Sequence, residues 1–148
     1  MHDRSGAIPQ TSILALAIGA ALCVLLFSAA ASAAPPTRSE ADSAVRGLNA
    51  DLEVVAGAPS RAQSPVGQAT ASFARQEAAE LRTKLERLRT ALRSGASKQD
   101  TRGLFNEIAQ HKIRLESAIE GGRLEIPEST LARWLELWTR LSEFYRSS

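Results

Sequence analysis

The stretch QATASFARQEAAELRTKLERLRTALRSG, Gln68 to Gly95, decides the fold. Ala74, Ala78, Leu81, Leu85, Leu88 and Leu92 recur at alternating steps of four and three, which lines them up as one apolar stripe on a long helix. Arg75, Arg82, Arg89 and Arg93 occupy the opposite face, together with Glu86. Gly95 is placed to stop the helix in a left-handed cap.

The chain downstream repeats the pattern. Ser97 opens SKQD, a capping-box spacing with Asp100, and the helix it starts carries Leu104, Phe105, Ile108, Ala109, Leu115 and Ile119, with Ile113 on a neighbouring line. Gly121-Gly122 ends it. Pro127 suits the first turn of a third helix and Glu128 the positive end of its dipole. That helix carries Leu131, Trp134, Leu135, Trp138, Leu141, Phe144 and Tyr145. No strand alternation appears between Gln68 and Ser148, and short loops between helices favour antiparallel neighbours. The expected fold is therefore all-α: a small antiparallel three-helix bundle, or an extended α-hairpin, over residues 68–148.

Upstream, residues 34–67 read as a flexible linker. A short helix is the alternative. Ser39 and Asp42 have capping-box spacing, and Val45, Leu48, Leu52 and Val55 recur at three and four, but Gly47 weakens the pattern. Such a helix would add a weak fourth element. GAPSRAQSPVG, Gly57 to Gly67, is a loop by composition.

Residues 1–33 form an apolar leader. No charged residue lies between Arg4 and Arg38, and ILALAIGAALCVLLF runs from Ile13 to Phe27. Ala31-Ser32-Ala33 then supplies the small-x-small pattern of a signal-peptidase site, with cleavage expected after Ala33. The competing reading is a retained anchor, because Ile13 to Ala34 as a helix reaches roughly 33 Å and can span a bilayer core. Either reading places the helical domain outside the cytoplasm: periplasmic or secreted if cleaved, single-pass at the inner membrane if retained. Cys23, the single Cys, sits inside the apolar run without the context of a lipoprotein cysteine.

Composition narrows the function. The 148 residues make a one-domain length, and one Cys excludes a disulfide scaffold. A net charge of +2 is too small to seek a polyanion, so nucleic acid is not expected as a partner. The chemistry-bearing residues are sparse. His111 is the one His beyond the leader, lacks the HExxH setting of a zinc hydrolase, and reads as structural. Glu77 with Glu80 and Glu116 with Glu120 can each share a helical face, but both pairs lie among charged neighbours and read as solvated. Arg75, Arg82, Lys112 and Arg114 form no recognisable anion-binding motif. Neither a cofactor nor a catalytic constellation is expected.

The third helix is the candidate interaction element. Trp134 and Trp138 stand one turn apart, Leu141 and Tyr145 continue their face, and Leu135, Leu137 and Phe144 broaden the apolar arc beyond what so small a bundle needs to bury. The expected function is thus an exported helical protein-interaction or adaptor protein of the bacterial envelope. Trp134, Trp138, Leu141, Phe144 and Tyr145 would dock another envelope protein or a second copy of the chain, with Arg82, Arg89 and Arg93 aiding orientation or touching an anionic membrane surface. The alternatives are a membrane-tethered structural subunit and a small helical enzyme or ligand-binding protein, the last requiring a pocket where two helices converge polar groups.

Overall fold

The computed structural model describes residues 34–147. The signal-or-anchor reading and Cys23 fall on residues 1–33 and lie outside the described residues. Among the described residues the chain is all-helical, with α1 (Arg38–Gly57), α2 (Pro65–Arg93), α3 (Lys98–Gly121) and α4 (Glu128–Arg146). None of these is long and apolar enough to cross a membrane.

The main departure from the three-helix expectation is α1, a full 20-residue helix where the sequence reads as a linker or, alternatively, a short and weak fourth helix. Its cap is not Ser39 but Thr37. The Thr37 N–H donates to Glu40 Oε2 at 2.7 Å, and the Glu40 N–H donates back to Thr37 Oγ1 at 3.3 Å, a reciprocal box two residues earlier. Ala41, Ala44, Val45, Leu48, Leu52 and Val55 are buried along one face. Gly47 is a contact point instead of a fault. A Cβ there would lie 2.5 Å from Leu137 Cδ1, so the bare position lets α4 approach. Packing, rather than propensity, holds this helix.

The other helices begin and end much as their spacing predicts. Helix α2 starts at Pro65, slightly before Gln68, with Ser64 Oγ accepting the Gly67 N–H at 3.1 Å. It ends in a Schellman motif. Gly95 takes φ 90°, its N–H reaches Leu92 O at 3.2 Å, and the Ala96 N–H reaches Ala91 O at 3.0 Å. Helix α3 opens on the Ser97–Asp100 box, with the Asp100 N–H on Ser97 Oγ at 3.1 Å. At its far end the Leu124 N–H reaches Ile119 O at 3.2 Å, yet the left-handed residue is Arg123, at φ 48°. The preceding glycine is needed elsewhere: a Cβ on Gly122 would lie 2.7 Å from Ala71 Cα of α2. Helix α4 begins at Glu128, directly after Pro127.

Helix α1 packs beside both α2 and α4, and α2 packs beside α3. Cross-helix pairs give their directions. Glu53 meets Arg82 while Asp42 meets Arg89, and Lys84 meets Glu107 while Glu77 meets Arg114, so successive helices run antiparallel. Helices α3 and α4 touch mainly through long side chains. Towards the C-terminus of α4, the Phe105 ring stacks on Tyr145 at a centroid separation of 4.2 Å and on Trp138 at 5.6 Å. At the opposite end the α1–α2 and α3–α4 loops are tied together. The Arg61 N–H bonds Arg123 O at 3.1 Å, the Glu125 N–H bonds Pro59 O at 2.8 Å, and Ser60 Oγ donates to Gly122 O at 2.5 Å. There the space between α3 and α4 is not filled by stacked rings.

Candidate functional site

The aromatic residues of α4 serve the interior. Trp134, Leu141, Phe144 and Tyr145 are buried, and Trp138 is half-buried against Phe105. Trp134 Nε1 donates to Glu116 Oε1 at 3.0 Å, and the Tyr145 hydroxyl donates to Thr101 Oγ1 at 2.8 Å. Burial pushes the Tyr145 phenol above its ordinary value. The broad apolar arc of α4 is thus divided in three. Trp134, Leu141, Phe144 and Tyr145 face inward, Leu137 meets Gly47, and Leu131 and Leu135 stay 41% and 57% exposed.

The three arginines are not gathered into one patch. Arg82 pairs with Glu53 at 2.7 Å. Arg89 lies 3.3 Å from Asp42 and 3.7 Å from Glu86, an ion-pair contact to Asp42 without the alignment of a hydrogen bond. Both fasten α1 to α2, while Arg93 is exposed near the end of α2. An open groove of about 870 Å³ runs beside Arg82 and is lined also by Leu52, Ala78 and Ala79.

A charged cluster joins α2 to α3. Glu77 is buried, and its Oε2 lies 2.8 Å from His111 Nδ1 and 3.3 Å from Arg114 Nε. Glu80 adds a carboxylate 3.9 Å from the same imidazole nitrogen. One carboxylate oxygen from each Glu and one ring nitrogen lie within 4.8 Å of one another, which is ligand-like spacing for a cation. The Arg114 guanidinium, however, also lies 2.9 Å from His111 Nδ1, so a positive group already occupies the focus of the set. The arrangement neutralises a buried acid. It does not present an open coordination position.

A second hollow, of about 250 Å³, lies where α3 and α4 stand apart. Val55 of α1, Leu115 and Ile119 of α3, Ile126 of the loop and Trp134 of α4 give it apolar walls, and Leu131 and Leu135 line it as well. Asp51, fully buried on α1, also lines it. Arg133 donates through Nε to Asp51 Oδ1 at 2.8 Å and through its second nitrogen to the same oxygen. This bond holds the Arg133 guanidinium above its usual value. Asp51 Oδ2 has no hydrogen-bond partner among the described residues. Glu116 is the other carboxylate in the wall, with Oε1 taken by the Trp134 indole and Oε2 by Lys112 at 2.7 Å. Three helices therefore wall one apolar hollow, with Asp51 and Glu116 in its lining but the Asp51 carboxylate closed off from it.

Asp51 was not singled out by the sequence, and Glu77, expected on a solvated face, is buried between α2 and α3 against His111 and Arg114, although a signal for each is present. Asp51 lies three residues after Leu48 and four before Val55, and Glu77 lies three after Ala74 and four before Leu81. Both occupy the register of the core stripe. The chain matches no protein-family model, no curated protein and no solved structure.

Proposed function

We propose that this chain is an exported helical binding protein that acts by non-covalent docking at the bacterial envelope. Export is the reading carried by the leader, Ile13 to Phe27 followed by Ala31-Ser32-Ala33. The binding surface that the geometry favours is not the Trp134–Tyr145 face but the outer edge of the same helix. The observation that carries it is the pair Leu131 and Leu135, one turn apart and exposed, beside a hollow with a buried acid in its wall. Exposed leucines singly need no explanation. Two that border a concave apolar site give a partner both an anchor pocket and a rim.

The test is site-specific photocrosslinking from a benzophenone side chain at position 135 in cells producing the full chain, with position 139 of the same helix as the control. A defined adduct from 135 and none from 139 supports docking at this edge. An adduct whose mass is that of two copies assigns the partner as the chain itself. Equal, diffuse labelling from both positions refutes the surface.

A further inference from the structure

We infer that Glu77, Glu80 and His111 form a site for a divalent transition-metal ion, Zn²⁺ in the first instance, which the ion enters by displacing the Arg114 side chain. The inference is independent of what docks at Leu131 and Leu135.

The ligands come from two helices. Glu77 and Glu80 stand three residues apart on α2, so both carboxylates meet His111 of α3. Glu77 Oε2 lies 2.8 Å and Glu80 Oε2 3.9 Å from His111 Nδ1. Ligand atoms about 2.0–2.2 Å from a tetrahedral zinc sit roughly 3.3–3.6 Å from one another, between those two separations, so small side-chain rotations suffice. Glu80 Oε1 accepts from Gln76 Nε2 at 3.2 Å, which steadies the carboxylate while Oε2 faces the imidazole. The bonding at Nδ1 does not close as it stands. An imidazole nitrogen carries either a proton or a lone pair. The Glu77 carboxylate needs the proton, and the Arg114 Nη2 donor, at 2.9 Å, needs the lone pair. Whichever form the ring takes, one contact is unmet. A metal ion takes the lone pair and both carboxylates at once, and brings two charges to two acids where Arg114 brings one. Arg114 is free to yield. Its side chain is 48% exposed on a long stem, whereas those of His111 and Glu77 are 12% and 7% exposed and held between the helices. Its departure opens the fourth position to water. One imidazole nitrogen among the ligands favours zinc over magnesium or calcium, which take oxygen.

The experiment titrates the full chain with Zn²⁺ near neutral pH by calorimetry, with Mg²⁺ as the oxygen-preferring probe, and follows the imidazole nitrogen resonances. The expected result is saturable Zn²⁺ binding at equal stoichiometry, a shift at His111 Nδ1 rather than Nε2, and a raised melting midpoint. Glu80→Gln, at a half-exposed position outside the core, should weaken Zn²⁺ about tenfold or more. Arg114→Ala is the decisive variant. It should bind Zn²⁺ about tenfold tighter, because the ion no longer displaces a charge-assisted bond. A simple ion-pair cluster has no reason to gain metal affinity when a cation is removed from its partly exposed edge and Mg²⁺ binding stays weak. His111→Gln should remove the site, and His2→Gln should leave it intact. The inference is overturned by the absence of saturable Zn²⁺ binding, by Mg²⁺ binding as well as Zn²⁺, or by coordination through His2 or Nε2. So is it by a Zn²⁺ affinity unchanged or weakened in a folded Arg114→Ala chain.

Discussion

Arg133, more than half exposed on α4, reaches across to Asp51, fully buried on α1, with Nε 2.8 Å from Oδ1. The pair pins the first helix of the described chain to the last. A buried carboxylate that loses its cation is left uncompensated, which harms a fold more than neutralising the acid itself. Arg133→Ala is therefore expected to lower the midpoint of urea unfolding more than Asp51→Asn does. The double variant should be no worse than Arg133→Ala alone. A purely additive double variant would show that the two side chains do not act as a pair.

The caps set an acid limb of stability. Hydrogen bonds from the Thr37 backbone N–H and hydroxyl hold Glu40 below its ordinary value, and those from the Ser97 hydroxyl and backbone N–H do the same for Asp100. A carboxylate whose folded pKa is depressed contributes stability above its unfolded value and loses it as pH falls through the folded one. The loss should begin near the ordinary values of 4.5 and 3.8 and continue below them. Urea unfolding between about pH 6 and pH 3 measures this. Combining Thr37→Ala with Ser97→Ala should make that limb shallower without removing it, because the backbone N–H bonds to Glu40 and Asp100 and the Lys84–Glu107 pair remain.

Tyr145 sets the alkaline limb. Burial raises its phenol above 10.0, despite opposing contributions from Thr101 and Arg102. A raised phenol favours the neutral folded state, so its contribution is intact below the unfolded value and is lost as pH rises through the folded one. Tyr145→Phe should remove this alkaline slope. At neutral pH it should cost about 1 kcal/mol for the lost bond to Thr101, while the ring stack on Phe105 survives.

Two adjacent residues at the end of α3 should respond in opposite senses. Arg123 holds a left-handed φ of 48°, which a side chain adopts at a cost, so Arg123→Gly is expected to be neutral or stabilising by up to about 1 kcal/mol. Gly122 faces the Ala71 backbone at 2.7 Å from a built Cβ, and backbone cannot yield as a flexible side chain does. Gly122→Ala should destabilise by about 1–3 kcal/mol. Thermal unfolding of the two variants decides this, and a Gly122→Ala chain as stable as wild type would show that α2 and α3 are not in this close register.

The helices from Gln68 onward were legible because Leu81, Leu85, Leu88 and Leu92 keep an unbroken period and Gly95 and Ser97 mark the boundary. Helix α1 was half legible. Its Val45, Leu48, Leu52 and Val55 show the period, but Asn49 and Asp51 are polar groups inside the protein, and Gly47 lowers propensity at the point where Leu137 arrives. Tertiary partners remote in sequence resolve all three: Glu86 accepts from Asn49 at 2.6 Å, Arg133 meets Asp51, and α4 covers Gly47. The direction of the α4 aromatics was open for the same reason. Trp134 and Tyr145 turn inward because α3 supplies Glu116 and Thr101 as acceptors. The hollow depends on the spacing of α3 and α4, which no local pattern encodes.

The expected division at residue 67 can be tested directly. If residues 68–148 were a self-sufficient domain, removing residues 34–57 would leave it folded. The structure places Val45, Leu48, Leu52 and Val55 in the same core as Leu81, Leu88 and Trp134. Burying four such side chains contributes about 1.5–3 kcal/mol each, as an upper estimate. That sum is comparable with the roughly 5–15 kcal/mol that stabilises an ordinary domain. A chain beginning at Ala58 should therefore lose cooperative unfolding and sharp Trp134 and Trp138 indole resonances, while keeping part of its helical circular dichroism. Adding residues 34–57 back as a separate peptide should restore both. A cooperative transition in the shortened chain alone would return α1 to the status of an accessory.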